Sequence, residues 1–274
     1  MRFTSRNARL AGAAVVLTIG LSACASSEPA DTGSGDGDLG TIRVGALATP
    51  AGDILTFVND NLAADAGLEV EYVDFTDYNT PNIATTDGSI DANLFQNDTF
   101  LANYNEQSGG DLVSVGSIYL PTAAFYSDKI ASLDELEDGA SIAIPNDPTN
   151  EGRALKILAA EGLIEVTETP TTLADITSNP SDFEFREIEN ATLAQAVPDV
   201  DVAFVTAAFA LPAGLTLDTA ILVEGSDSPY ANILVTSSEL ESDPRIVKLK
   251  ELLLAPETQD YINETWGGLI LPTE

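Results

Sequence analysis

Between Ile42 and Phe95 the chain switches repeatedly between two hydrophobic periods. Ile42 to Leu47 is an apolar run of strand length, whereas Ile54, Leu55, Val58 and Leu62 recur at helical spacing within Asp53 to Ala64. Leu68, Val70 and Tyr72 then alternate with Glu69 and Glu71, as in a strand with one wet face, over Leu68 to Phe75. Pro81 to Asp87 predicts a helix and Ala92 to Phe95 a strand, with a further helix after it. From Ser141 the alternation resumes, with strands over Ser141 to Ile144, Phe183 to Ile188, Val200 to Val205 and Ala220 to Glu224, and helices near 149–161 and 191–197. Short, nearly continuous apolar strands predict a sheet covered on both faces. Near the end, Asp243 as N-cap and Pro244 at the first helical position open a helix whose Ile246, Leu249 and Leu253 share a face. Strand and helix in alternation predict an α/β fold.

The N-terminus breaks this pattern. Arg2, Arg6 and Arg9 precede an apolar run, Ala11 to Leu21, too short to cross a bilayer as a helix, so residues 1–23 are expected to be a signal peptide. The run ends in Leu21-Ser22-Ala23-Cys24, which resembles the bacterial lipobox and predicts lipidation of Cys24; the alternative is an ordinary signal peptide with an incidental cysteine. Cys24 is the single cysteine, so no intrachain disulfide forms. The stretch from there to Gly40 is rich in Ser, Gly, Asp and Ala, and residues 24–40 are expected to be a flexible tether rather than a calcium loop, since the ligand ladder and closing Glu are missing.

Charge and composition then narrow the function. Cleavage before Cys24 removes three arginines and no acid, leaving 8 basic against 44 acidic residues and a formal charge of −36. Such a field repels nucleic acid and anionic membrane, while a zwitterion remains an acceptable ligand. The chain has no histidine, and its one cysteine stands at the lipid position, so Ser-His-Asp, Cys-His and Cys/His zinc arrangements are all impossible. No phosphate loop or dinucleotide glycine fingerprint occurs. A pair of carboxylates is the one enzymatic route left open, and in so acidic a chain two acids more often form a solvated surface. The expectation is a protein that is not an enzyme and that uses no cofactor or metal.

The most informative stretch is Ile144-Pro145-Asn146-Asp147-Pro148-Thr149-Asn150-Glu151-Gly152-Arg153-Ala154-Leu155. A strand ends there, Asp147 and Pro148 signal a helix start, and Arg153 falls in the first turns, where a cation opposes the helix dipole. That placement becomes favourable if Arg153 and the free backbone N–H groups meet a bound carboxylate. The alternative is pairing with one of the chain's many acids.

This block, together with Phe75-Thr76-Asp77-Tyr78, Pro81-Asn82, Asp91-Ala92-Asn93-Leu94-Phe95-Gln96, Ser132-Leu133-Asp134-Glu135-Leu136 and Ser228-Pro229-Tyr230-Ala231-Asn232, resembles the NlpA family of methionine-binding lipoproteins across essentially the whole mature domain. The resemblance implies a two-lobed periplasmic-binding-protein fold of type II character, crossed twice at the hinge, with lobe one near 41–125 plus 229–274 and lobe two near 126–228. It also implies a monomer anchored outside the cell membrane through lipid at Cys24, delivering methionine or a similar amino acid to an ABC transporter permease. Alternatives are a binder of another small amino acid or short peptide, and a surface lipoprotein without a transport role.

Carried over by motif, Arg153 holds the ligand carboxylate, Asn232 binds the polar amino-acid end, and Tyr78 and Phe95 wall the side-chain pocket. Core packing for the two aromatics and turn capping for Asn232 are the alternatives. Three positions depart from the family: Asn97 replaces His, Phe100 replaces Tyr, and Thr206 replaces Asn. These predict weaker methionine binding or preference for a somewhat more polar amino acid, and a gain of about 1 kcal/mol on Thr206→Asn. Arg153→Ala is expected to cost binding with little loss of fold.

Overall fold

The computed structural model describes residues Gly37–Thr273; the expected signal peptide, Cys24 and most of the tether lie outside the described residues. The end of the tether departs from expectation. The Leu39 N–H donates to the Gly67 carbonyl at 2.7 Å, and Gly40 opens β1 (Gly40–Leu47) in register with Leu68. Leu39 also packs against the first core, so apolar contact and backbone pairing reach two residues upstream of Thr41.

After β1, α1 (Asp53–Val58) continues through wider turns to Ala63 and a last tight turn at Ala64–Ala66, stopped by Gly67 at φ 68°. β2 (Leu68–Phe75), α2 (Pro81–Thr86) and β3 (Ala92–Gln96) follow close to expectation. α3 (Asp98–Ser108) leads to β4 (Leu112–Pro121) and β5 (Ala123–Tyr126). Then come β6 (Ser141–Pro145), α4 (Pro148–Ala160), the short pair β7 (Glu165–Val166) and β8 (Ile176–Ser178), β9 (Glu184–Ile188), α5 (Asn190–Ala196), β10 (Val202–Thr206), α6 (Ala207–Ala210) and β11 (Ala220–Val223). The chain closes with β12 (Asn232–Ser237), α7 (Pro244–Leu253), α8 (Pro256–Trp266) and β13 (Ile270–Pro272).

Two sheets result. The first runs β13-β4-β12-β3-β1-β2 and the second β11-β5-β10-β6-β9. Each combines parallel strands (β2, β1, β3; β9, β6, β10) with antiparallel ones added on one side. β6 and β10 are buried at every residue, as expected of strands covered on both faces. Ile246, Leu249 and Leu253 of α7 are at most 1% exposed and dock on the first sheet's core, each worth about 1.5–3 kcal/mol by burial.

The chain passes between sheets twice. The first passage is at Thr122, whose N–H and hydroxyl both bind the Leu269 carbonyl, at 3.0 and 2.8 Å. The expected division between 125 and 126 would therefore cut β5, which pairs with β10 and β11 in the second sheet; the first lobe ends at Pro121. The return lies between β11 and β12, around the expected 228/229. Among the described residues no helix is long and apolar enough to cross a membrane.

Candidate functional site

In an α/β sheet the carboxyl ends of parallel strands are where loops can present side chains to a ligand. Here those ends of the two sheets face one cleft, and all seven expected ligand residues, Tyr78, Phe95, Asn97, Phe100, Arg153, Thr206 and Asn232, line one tight cavity. Sequence distances of more than a hundred residues collapse into a single wall.

The first lobe supplies an aromatic corner. Asp77 accepts the backbone N–H groups of Asn79 and Thr80 at 2.7 and 2.9 Å, a turn that fixes the loop carrying Tyr78. The Tyr78 ring lies 5.8 Å from Phe95 and 6.1 Å from Phe100, and Phe95 meets Phe100 edge-on at 5.6 Å. Behind Phe95, the amides of Asn82, Asn93 and Gln96 are buried and bonded to one another: Asn82 donates to Gln96 at 2.9 Å, Gln96 to Asn93 at 2.8 Å and Asn93 to Asn82 at 3.0 Å. Such a satisfied network gives the cavity a rigid floor. Asn97 has a second role that the motif did not disclose. It caps α3 by accepting the Phe100 N–H at 3.0 Å, which uses one of the two lone pairs of its Oδ1, while its amide nitrogen donates to none of the described residues.

The second lobe closes over this corner. The Tyr78 hydroxyl and Thr206 Oγ1 are 3.1 Å apart, and Phe209 of α6 stands 5.0 Å from the Tyr78 ring. Burial pushes the Tyr78 phenol up to about 12, so it stays neutral at working pH. Asn103 of α3 donates to Thr149 of α4 at 2.9 Å, a further bond between the lobes.

At the polar end, Asn232 donates from Nδ2 to the Tyr119 hydroxyl at 2.9 Å, leaving its carbonyl oxygen as an acceptor beside the cavity. Arg153 lines the cavity, and it is paired with an acid, the alternative that its sequence position left open. Its Nε donates to Glu224 Oε1 at 2.9 Å, its Nη2 pairs with Glu224 Oε2 and donates to the Pro121 carbonyl at 2.9 Å, and its guanidinium lies 4.7 Å from the Tyr230 ring centre. The two charged side chains are 3% and 8% exposed. An alanine at 153 would strand a buried Glu224, so the expectation of an intact fold is corrected to a loss of about 3–5 kcal/mol.

A second correction concerns the start of α4. Asp147 Oδ1 accepts the N–H groups of Thr149 and Asn150 at 3.1 and 2.9 Å, and its Oδ2 holds Asn190 at 2.7 Å. The helix N-terminus is thus already capped by a carboxylate, and the N–H groups of Thr149 and Asn150 are taken. Gly152 is required by packing: a Cβ there would collide with the Pro170 carbonyl oxygen. Sequence reasoning missed Glu224, Tyr119 and Phe209, whose roles appear only when distant strands are brought together. No group of three or more metal-ligating side chains occurs among the described residues.

Residues 42–273 match the family model described as NlpA lipoprotein. The D-methionine-binding lipoprotein of Salmonella typhi is 35% identical over 246 residues, covering 87% of this chain and 90% of that protein. Among solved structures, a periplasmic substrate-binding protein of an ABC transporter from Coxiella burnetii is 37% identical with a TM-score of 0.82, covering 85% of this chain and 100% of its own. A nutrient-binding protein from Burkholderia cenocepacia, bound to methionine, is 33% identical with a TM-score of 0.82 and the same coverage of both chains.

Proposed function

This chain belongs to the NlpA lipoprotein family and has the fold of periplasmic substrate-binding proteins, and from that premise we propose that it captures an amino acid with an apolar side chain, methionine above all, outside the cell and delivers it to an ABC transporter permease. The carrying observation is one cavity with an aromatic corner at one end and Arg153 with Asn232 at the other. A zwitterion with a thioether tail suits both ends: Arg153 Nη1 takes the carboxylate, the Asn232 carbonyl takes the ammonium, and sulfur packs against the rings of Tyr78, Phe95 and Phe100. Contacts from both lobes favour the closed state by their differential free energy, which is the signal a transporter reads. Anchoring through lipid at Cys24 and a monomeric state belong to the same reading. No catalytic constellation is part of it, in line with a family of binding proteins.

Calorimetry with L-methionine is the test: one-site saturable binding is expected, and none in a folded protein would overturn the assignment. A thermal-shift panel of the other amino acids and short methionyl peptides checks selectivity, since a true ligand raises the melting temperature by mass action. The amide nitrogen of Asn97 and the hydroxyl of Thr206 support a second, narrower reading, in which a more polar amino acid raises the melting temperature further than methionine.

A further inference from the structure

We propose that Glu224 is a positioning residue for ligand capture: it holds the Arg153 guanidinium against both interlobe passages, so that seating a ligand carboxylate and closing the hinge become one event. The inference rests on the reading of Arg153 as the carboxylate-binding group.

The geometry is that of a clamp. Glu224 occupies one edge of the guanidinium, through Nε and Nη2, in a two-toothed pair. Nη2 also reaches the Pro121 carbonyl, and Tyr230 covers the face. Among the described residues Nη1 has no partner, and Arg153 forms part of the cavity wall, so a ligand meets this cation in a single orientation. Glu224 is itself fixed by two donors, the Ala123 N–H at 3.2 Å and the Ser228 hydroxyl at 2.9 Å. Pro121 and Ala123 flank the first passage between sheets, while Glu224, Ser228 and Tyr230 lie along the second. One ion pair therefore touches both connections, on the side of each lobe.

Its electrostatics fit the same role. A buried pair gains little net stability, because desolvating two charges offsets their attraction, so its presence at the hinge calls for a reason other than holding the fold. Glu224 also cancels most of the free charge of Arg153 when the cleft is empty, and a zwitterion then enters without leaving a net charge behind.

The test is a double-mutant cycle read by calorimetry with L-methionine, with thermal melts and small-angle scattering on the same samples. Glu224→Gln keeps volume and one acceptor; it is expected to weaken binding at least tenfold and to enlarge the ligand-bound radius of gyration toward the ligand-free value. Arg153→Met/Glu224→Gln removes both charges and avoids a stranded ion, so it folds even if Arg153→Met alone does not. It is expected to bind more weakly than the parent, and by less than the product of two independent losses when Arg153→Met is measurable. A carboxyl-blocked probe, L-methioninamide, should lose less than threefold on Glu224→Gln, which a merely structural role would not produce. Parental affinity in folded Glu224→Gln overturns the proposal while leaving Arg153 in place if the double variant has lost binding. Parental affinity in the double variant overturns the Arg153 reading, and this inference with it. A parent that does not bind L-methionine overturns both.

Discussion

Thr206→Val isolates one contact that joins the two lobes beside the cavity. Valine preserves the shape of threonine and deletes the one oxygen that meets the Tyr78 hydroxyl at 3.1 Å. Thr206 is 5% exposed, so water does not readily replace the lost partner. The hydroxyl pair is neutral, because burial holds the Tyr78 phenol near 12, and a neutral hydrogen bond is worth about 0.5–1.5 kcal/mol net, with about 1–3 kcal/mol at stake when a buried partner is left unpaired. The bond spans the lobes, so opening the hinge breaks it and its loss falls on the closed, ligand-holding state. Thr206→Val should therefore weaken L-methionine binding by about 1–2 kcal/mol, roughly 5- to 30-fold. Tyr78→Phe should cost a similar amount, and the double variant no more than the worse single one, since both orphaned hydroxyls are then gone. Calorimetry on the four proteins reads the cycle. Unchanged affinity in Thr206→Val, or additive losses in the double variant, would refute a working cross-lobe bond. The same geometry revises the expectation for Thr206→Asn: the new amide must first replace the Tyr78 contact, which offsets the gain of about 1 kcal/mol expected from an added hydrogen bond.

Glu151 gives a pH signature. Burial, with Glu187 and then Asp147 nearby, raises its carboxyl from 4.5 to about 7, against one opposing hydrogen bond from the Leu173 backbone. A raised acid favours the fold while protonated, so this contribution is full below about 4.5 and is lost as pH rises through about 7. Glu151→Gln should accordingly be more stable than the parent at pH 8, by up to about 3 kcal/mol, with the gap closing toward pH 4.5 in urea melts; a pH-independent difference would refute the assignment. Gly152→Ala should destabilise by about 1–3 kcal/mol in the same assay, as overpacking against the Pro170 carbonyl, and a neutral result would mean that the 170 loop yields freely. Cys24→Ala should release the protein from the membrane fraction, and undiminished retention would exclude the lipid anchor.

Much of this molecule was legible in its residues because the signals were local. Hydrophobic period placed β1, β2, β3, β6 and β10, and the pair Asp243 and Pro244 placed the start of α7, since each depends on neighbours within a few positions. Composition alone removed histidine and cysteine chemistry. Motif resemblance assembled seven cavity residues before any distance was known. β4 and β12 were not anticipated: β4 mixes Ser114, Gly116 and Ser117 into its run and becomes a strand by pairing with β12 inside the first sheet, a long-range event, while the apolar run Ile233 to Val235 of β12 was a local signal left unread. The passage at Thr122 was misplaced for a related reason, because apolar residues run through Ala123 to Tyr126 on both sides of the expected boundary and only sheet pairing decides where one lobe ends. Tertiary structure also decided what each site residue does. Asn97 became a helix cap, Thr206 a partner of Tyr78, and Arg153 a cation already held by Glu224 from 71 residues away. Local propensity specifies which segments form; which buried charge finds which partner is settled only when desolvation forces the pairing in the folded chain.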